Sequence, residues 1–238
     1  MRNIPLNTII TLPRSGSHYL AYFASRYLNA LPLTTNLNEN GSVSVSEYLP
    51  HIIKKGLRNS DAAATRQSIQ RIIIFSHPHH FSTAEKYRRF TGSDTINFVV
   101  SYPYDAIYSL YVAMHQGYRD VPTEVTLAKK QYEKLSADAL RSLDIHINQL
   151  PFINSVLINA DKNTNIYRYE DFNAYTLGRL FECNIDSHDF NPSMKRVFWT
   201  NNYESFKPSA IEKIAQDDSK ILEKCYPEKL NSIADIMR

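Results

Sequence analysis

The segment Pro13-Arg14-Ser15-Gly16-Ser17-His18-Tyr19 combines the residue types that hold an anion. Gly16 gives the backbone freedom to turn, and a helix starting just after it would direct N–H groups and the positive end of its dipole at the loop. Ser15 and Ser17 add hydroxyl donors, and Arg14 adds a permanent charge. The same residues also read as a serine-type helix cap beside a surface Arg, and local physics alone does not choose between the two. A second chemical cluster is formed by His77, His79 and His80 around Pro78. A neutral imidazole near pH 7 can take a proton, but the same grouping also reads as a solvated turn or a weak metal site.

Short apolar strands are needed to position such groups. Asn7 to Leu12 is β-branched and apolar and is stopped by Pro13, which predicts a buried strand running into the loop. Leu20, Phe23, Tyr27, Leu28 and Leu31 then recur at helical spacing. Arg71 to Phe75 predicts a second strand, which delivers the histidines, and Ile96 to Val100 a third. A helix follows from about Tyr104 to Gln116, with Ile107, Leu110, Tyr111 and Met114 on one side. Tyr104, Tyr108 and Tyr111 read as packing. Ile166 to Tyr169 predicts a fourth strand. Ala137 to Ile158 reads as a helix interrupted or ended near Pro151, and Ser209 to Cys225 as a late helix. Leu31 to Ser68, rich in Asn, Ser and Thr around an amphipathic stretch from Val45 to Leu57, reads as a loop-rich excursion. Strands alternating with helices predict an α/β fold, a central parallel sheet with helices on both faces and ligands beyond the carboxyl ends of its strands.

The 238 residues suit one domain, 1–238, and a 43% apolar fraction allows a real core. The six glycines never fall as G-x-G-x-x-G or G-x-x-x-x-G-K-[ST], which excludes the dinucleotide fingerprint and the Walker A loop. A formal charge of +3 is too small to predict nucleic-acid binding. Cys183 and Cys225 form no framework, and no apolar run is long enough for a transmembrane segment. The expectation is a soluble, cytoplasmic protein.

The loop from Pro13 to Tyr19 resembles the 5′-phosphosulfate loop of the sulfotransferases, usually Pro-Lys/Arg-Ser-Gly-Thr/Ser-x-Trp/Tyr. Asn97 to Tyr111 is similar to the family's second signature, a strand followed by Arg-x-Pro-x-Asp and a helix bearing Ser. Tyr169-Glu170-Asp171-Phe172 is similar to its Tyr-Glu-Asp-Leu, and Trp199 through Tyr226 to its tail, where a Trp precedes a final helix. These motifs occur in the family's order, and the resemblance spans most of Thr8 to Tyr226.

The resemblance implies a P-loop-like sulfotransferase fold and transfer of a sulfuryl group from 3′-phosphoadenosine 5′-phosphosulfate (PAPS) to an acceptor hydroxyl, with no metal. Arg14 would stabilise the leaving phosphate. The backbone amides of Ser15, Gly16, Ser17 and His18 and the Ser17 hydroxyl would hold the 5′-phosphate. His77, in Phe75-Ser76-His77 where the family carries Lys-Thr-His, would be the base. Tyr19, Tyr169 and Trp199 are candidates to stack on adenine. For the 3′-phosphate the usual Arg is Ser101, Ser109 is retained, and Lys195 and Arg196 are the nearest basic pair to Trp199. A Ser supplies no charge, so the alternative is a catalytically silent nucleotide-binding module. Glu170 and Asp171 read as structural, candidates to cap the next helix. The acceptor, a carbohydrate, glycolipid or small molecule, is expected against the Leu31 to Ser68 and Gln116 to Ser136 regions.

Overall fold

The computed structural model describes residues 6–48, 69–115, 149–158, 163–187 and 206–237. Strand β1 (Leu6–Thr11) pairs in parallel with β4 (Arg71–Ser76) on one side and β5 (Ile96–Val100) on the other. Outside these lie β2 (Ala30–Leu37) and β6 (Thr164–Arg168), both parallel, and then β3 (Val43–Glu47), antiparallel to β2. The order is β3-β2-β4-β1-β5-β6. The sheet is therefore parallel except for one edge.

Alternation along the strands divides the interior into two apolar layers. Ile9, Ile73, Phe75 and Val99 face the layer that contains α1 (Ser17–Tyr27) and α5 (Ala174–Phe181). Ile10, Ile96, Phe98 and Val100 face the other layer. It contains α2 (Ala84–Thr91), α3 (Pro103–His115), α4 (Leu150–Ile158), α6 (Pro208–Asp217), α7 (Ser219–Cys225) and α8 (Leu230–Met237). Phe23 of α1 stacks on Phe181 of α5 with centroids 6.0 Å apart. β5 is buried at every position, as a central parallel strand covered on both faces must be. The chain leaves β1 toward one layer and leaves β4 and β5 toward the other. That reversal opens a crevice beyond the carboxyl end of β1, where the Arg14 loop lies.

Four sequence expectations change. The first helix stops at Tyr27, because Asn29 takes the left-handed conformation (φ 48°), and Leu31 lies in β2 instead. The excursion after it begins with the β2–β3 hairpin; residues 49–68 lie outside those described. Asn40-Gly41, with Gly41 at φ 78°, makes its turn, which is the strongest short-range hairpin signal. Pro151 sits in the first turn of α4 and opens that helix, as proline's missing N–H allows, while 137–148 are outside the described residues. The late helix divides at Asp218 (φ −102°, ψ 16°), in an Asp217-Asp218-Ser219 run whose side chains favour caps over helix interiors.

Candidate active site

Each strand end places one part of the site. β1 feeds the loop: the Ser15 N–H closes on the Leu12 carbonyl at 3.0 Å, and the Leu12 N–H bonds to Val99 of β5 at 3.1 Å. Arg14 (φ 69°) and Gly16 (φ 81°) are both left-handed, a pair of turns that swings the chain back into α1. The first intrahelical bond is Leu20 N–H to the Gly16 carbonyl, 2.9 Å, so the amides before Leu20 open the helix and carry the positive end of its dipole.

Tyr169, at the end of β6, lies against Gly16. A Cβ on Gly16 would sit 2.1 Å from Tyr169 Cε2 and 2.4 Å from Cδ2. Gly16 is thus required twice, by its positive φ and by the ring above it. Gly16→Ala is expected to cost about 2–4 kcal/mol of unfolding free energy, from overpacking plus left-handed strain. Denaturant titration measures this, and in a Tyr169→Ala background the same substitution should cost clearly less, because the two sites share one contact.

β5 contributes Ser101 and, through α3, Ser109. The Ser101 and Ser15 hydroxyls are hydrogen-bonded at 2.9 Å, and both residues are buried. The Arg14 Nε donates to Ser109 Oγ at 3.0 Å, tying the guanidinium to α3. The Ser15 amide is bonded to Leu12, and in the Ser15–Ser101 pair either hydroxyl can be the donor, which leaves the other with its own hydrogen. Ser101 is 3% exposed.

β4 delivers the histidines through a 3-10 turn, Pro78–His80. His77 Nδ1 lies 3.0 Å from the Thr11 carbonyl and 3.4 Å from Thr11 Oγ1. A carbonyl only accepts, so this contact puts the proton on Nδ1 and leaves the Nε2 lone pair to act as base. Burial pushes His77 below its ordinary 6.5, with the Thr11 carbonyl opposing. His80 Nδ1 is taken by Thr35 Oγ1 of β2 at 2.6 Å, and burial lowers His80 to about 3, aided by His79 and His77. His79, stacked on His77 at 5.7 Å, is lowered by burial and by His77 to about 4, and its buried Nδ1 has no hydrogen-bond partner. All three are neutral at pH 7. Among the described residues no group of three or more His, Cys, Asp and Glu could hold a metal.

Tyr19 and Tyr169, the expected stacking surface, are packed edge to face at 6.2 Å within the α1 layer, 9% and 7% exposed. Tyr169 packs against Gly16 of the loop, and Tyr19 against Tyr169. Tyr104 and Tyr108 are buried packing residues. Glu170 is structural, but not as a cap: Asn173 caps α5, accepting from the Thr176 N–H. The Glu170 carboxylate instead accepts from the Tyr102 N–H and the Tyr226 hydroxyl, each at 2.8 Å, and pins the end of β5 to β6 and the C-terminal helices. Burial raises Glu170 above its ordinary range, against those bonds and Arg168. Lys195, Arg196, Trp199 and the Gln116 to Ser136 region lie outside the described residues.

Sequence reasoning missed Tyr48, at the end of β3. Its ring meets His18 at 5.7 Å and Phe75 at 5.5 Å. The Asn40-Gly41 turn, flanked by alternating Val and Ser, was the signal that would have found this hairpin.

The six-stranded sheet with helices on both faces is an α/β fold, and a solved sulfotransferase shares it. Mouse sulfotransferase SULT7A1, crystallised in complex with PAP, aligns over 98% of this chain and 90% of its own, with a TM-score of 0.53 at 14% identity. A sulfotransferase from Alicyclobacillus acidocaldarius aligns over 92% of this chain and 94% of its own, with a TM-score of 0.47 at 12% identity. At 14% identity the likeness to the mouse protein is one of fold. No family model and no curated protein sequence matches the chain. Among the described residues no helix is long and apolar enough to cross a membrane.

Proposed function

We propose that this chain is a PAPS-dependent sulfotransferase acting on the hydroxyl of a carbohydrate, glycolipid or small molecule. The observation that carries the reading is the convergence at the end of β1. An Arg14-Ser-Gly-Ser loop opens α1, and one strand away, where Ile10 pairs with Ser76, His77 is neutral with its lone pair on Nε2. The start of α1, the Ser17 hydroxyl and Arg14 suit a 5′-phosphosulfate. PAP in the mouse protein of the same fold supports that donor.

In this reading the acceptor hydroxyl gives its proton to His77 Nε2 as its oxygen bonds to sulfur. The bond from sulfur to the bridging oxygen of the phosphosulfate breaks, and the electron pair leaves with the phosphate. Arg14 and the amides at the start of α1 meet the charge that gathers there. Ser109 holds Arg14 in place through Nε. Lys195 and Arg196 remain the proposed cations for the 3′-phosphate. Incubating the pure protein with radiolabelled PAPS and a panel of sugar, glycolipid and phenolic acceptors tests the proposal; labelled product is expected with at least one of them.

A second reading, nucleotide binding without turnover, is favoured by one observation. Ser101, where the family carries a cationic Arg, is buried and bonded to Ser15. PAP binding with no transfer to any acceptor in the panel would select it.

A further inference from the structure

The backbone pairing of β5 with β6 ends at Val100 opposite Arg168, where the chain leaves β6 through the 3-10 turn Tyr169–Asp171. The Tyr102 N–H lies two residues past that pair, just before α3, where a helix has no carbonyl of its own to offer it. A side chain takes over. Glu170 Oε1 accepts from the Tyr102 N–H at 2.8 Å, and Oε2 accepts from the Tyr226 hydroxyl at 2.8 Å. Both tyrosines are buried, so water is a poor substitute for either bond.

The two residues joined by the first of these bonds each stand next to a residue that touches the anion loop. Ser101, one before Tyr102, is hydrogen-bonded to Ser15 at 2.9 Å. The Tyr102 carbonyl accepts from the Ala106 N–H of α3 at 3.0 Å, and the same helix carries Ser109, to which Arg14 donates. Tyr169, one before Glu170, lays its ring against Gly16. Ser15 and Arg14 are thus held from the β5 side and Gly16 from the β6 side. Past the last backbone pair, the Glu170–Tyr102 bond ties one side to the other. The Tyr226 bond runs the other way, to the end of α7.

Resting on the phosphosulfate reading above, we propose that Glu170 is a positioning residue of the donor site: by bonding the Tyr102 N–H it holds Ser101, Ser109 and Tyr169 in the arrangement that shapes the Arg14–Ser17 loop for PAP. Glu170 acts through these three residues.

The test compares Glu170 variants by calorimetric titration with PAP and by amide hydrogen exchange of the nucleotide-free protein. Glu170→Ala is expected to weaken PAP binding about ten-fold, the scale of a lost hydrogen bond to a charged group. The Ser15 and Leu20 amides, both hydrogen-bonded in the loop, should exchange about ten-fold faster, while those of the β2–β3 hairpin stay within about two-fold of the parent. Tyr226→Phe removes the other bond to the same carboxylate and is expected to leave PAP affinity within about two-fold. Glu170→Gln keeps an oxygen for the Tyr102 N–H and turns its amide toward the Tyr226 oxygen, so it should recover affinity to within about three-fold of the parent. Should the alanine variant not fold, Glu170→Asp carries the test: it keeps the charge but draws the carboxylate back by one methylene, and PAP binding about three-fold weaker is expected. Unchanged affinity and loop exchange in the folded Ala or Asp variant, a loss that Gln does not restore, or an equal loss in Tyr226→Phe would overturn the positioning role and leave the donor reading standing. A parent protein that binds no PAP would overturn the donor reading, and with it this role in PAP binding; the exchange rates still show whether Glu170 holds the loop.

Discussion

Replacing His77 by Asn is expected to lower turnover of PAPS by about 10²- to 10⁴-fold, the usual worth of a positioned general base, while PAP affinity changes less than about two-fold. The Asn amide nitrogen takes the place of His77 Nδ1 and can still donate to the Thr11 carbonyl, so the geometry of the strand end survives and only the base is lost. That split between rate and binding separates a base from a packing residue. Replacing His80 should cost far less, because its ring is bonded to Thr35 of β2, whereas His77 is bonded to Thr11 of β1, the strand that carries the loop.

The pH dependence follows from the direction of the His77 shift. A base works only when deprotonated, and burial holds His77 below its ordinary 6.5. Turnover should therefore be flat from about neutral pH upward, and should fall only at acidic pH, as His77 takes up its proton. A profile still rising between pH 7 and 8 would exclude His77 as the base.

Arg14→Ala is the second large effect, an expected loss of about 10- to 100-fold in PAP affinity, the scale of a charge-assisted hydrogen bond to phosphate. The backbone makes this comparison clean. Arg14 sits at φ 69°, and alanine bears the same left-handed strain as arginine, so the loss reports the side chain and not the turn. Arg14→Lys should recover part of the affinity. It restores the charge but not the Nε donation that ties the guanidinium to Ser109. Titration calorimetry of the three proteins at one salt concentration gives the ranking Arg, Lys, Ala; equal affinity for all three would remove Arg14 from the site.

The parts legible in the sequence were those set by short-range chemistry. The strands of Ile9-Ile10, Ile72 to Ile74 and Ile96 to Val100 announce themselves as apolar runs, and the Arg14-Ser15-Gly16-Ser17 loop by its composition between strand and helix. The elements missed were polar or short. β3 is mostly exposed and written in Val and Ser, and β2 mixes Thr, Asn and Pro, so neither carries the apolar run of a central strand. Short helices such as α2, whose apolar face is little more than Ala84 and Tyr87, leave a weak period.

In the candidate site, what stayed hidden depends on partners far apart in the chain. Ser15 reads as an isolated hydroxyl of the loop, whereas the fold pairs it with Ser101, 86 residues away. Tyr169 reads as a stacking platform until β6 places its ring on Gly16. Glu170 reads as a helix cap until the Tyr102 amide and the Tyr226 phenol arrive from separate elements. Tyr48 carried no signal of its own, because its place beside His18 follows from the register of β3 on β2. Residue types proposed the chemistry, and sheet order decided which of them take part.

The central claim is that the loop after β1 is a phosphosulfate site, and the most direct measurement is a crystal structure of the protein with PAP. The 5′-phosphate is expected on the amides at the start of α1, within hydrogen-bonding distance of the Ser17 hydroxyl and Arg14, with His77 facing the open side of that phosphate. Nucleotide bound elsewhere on the sheet, or an unoccupied loop at saturating PAP, would contradict the account.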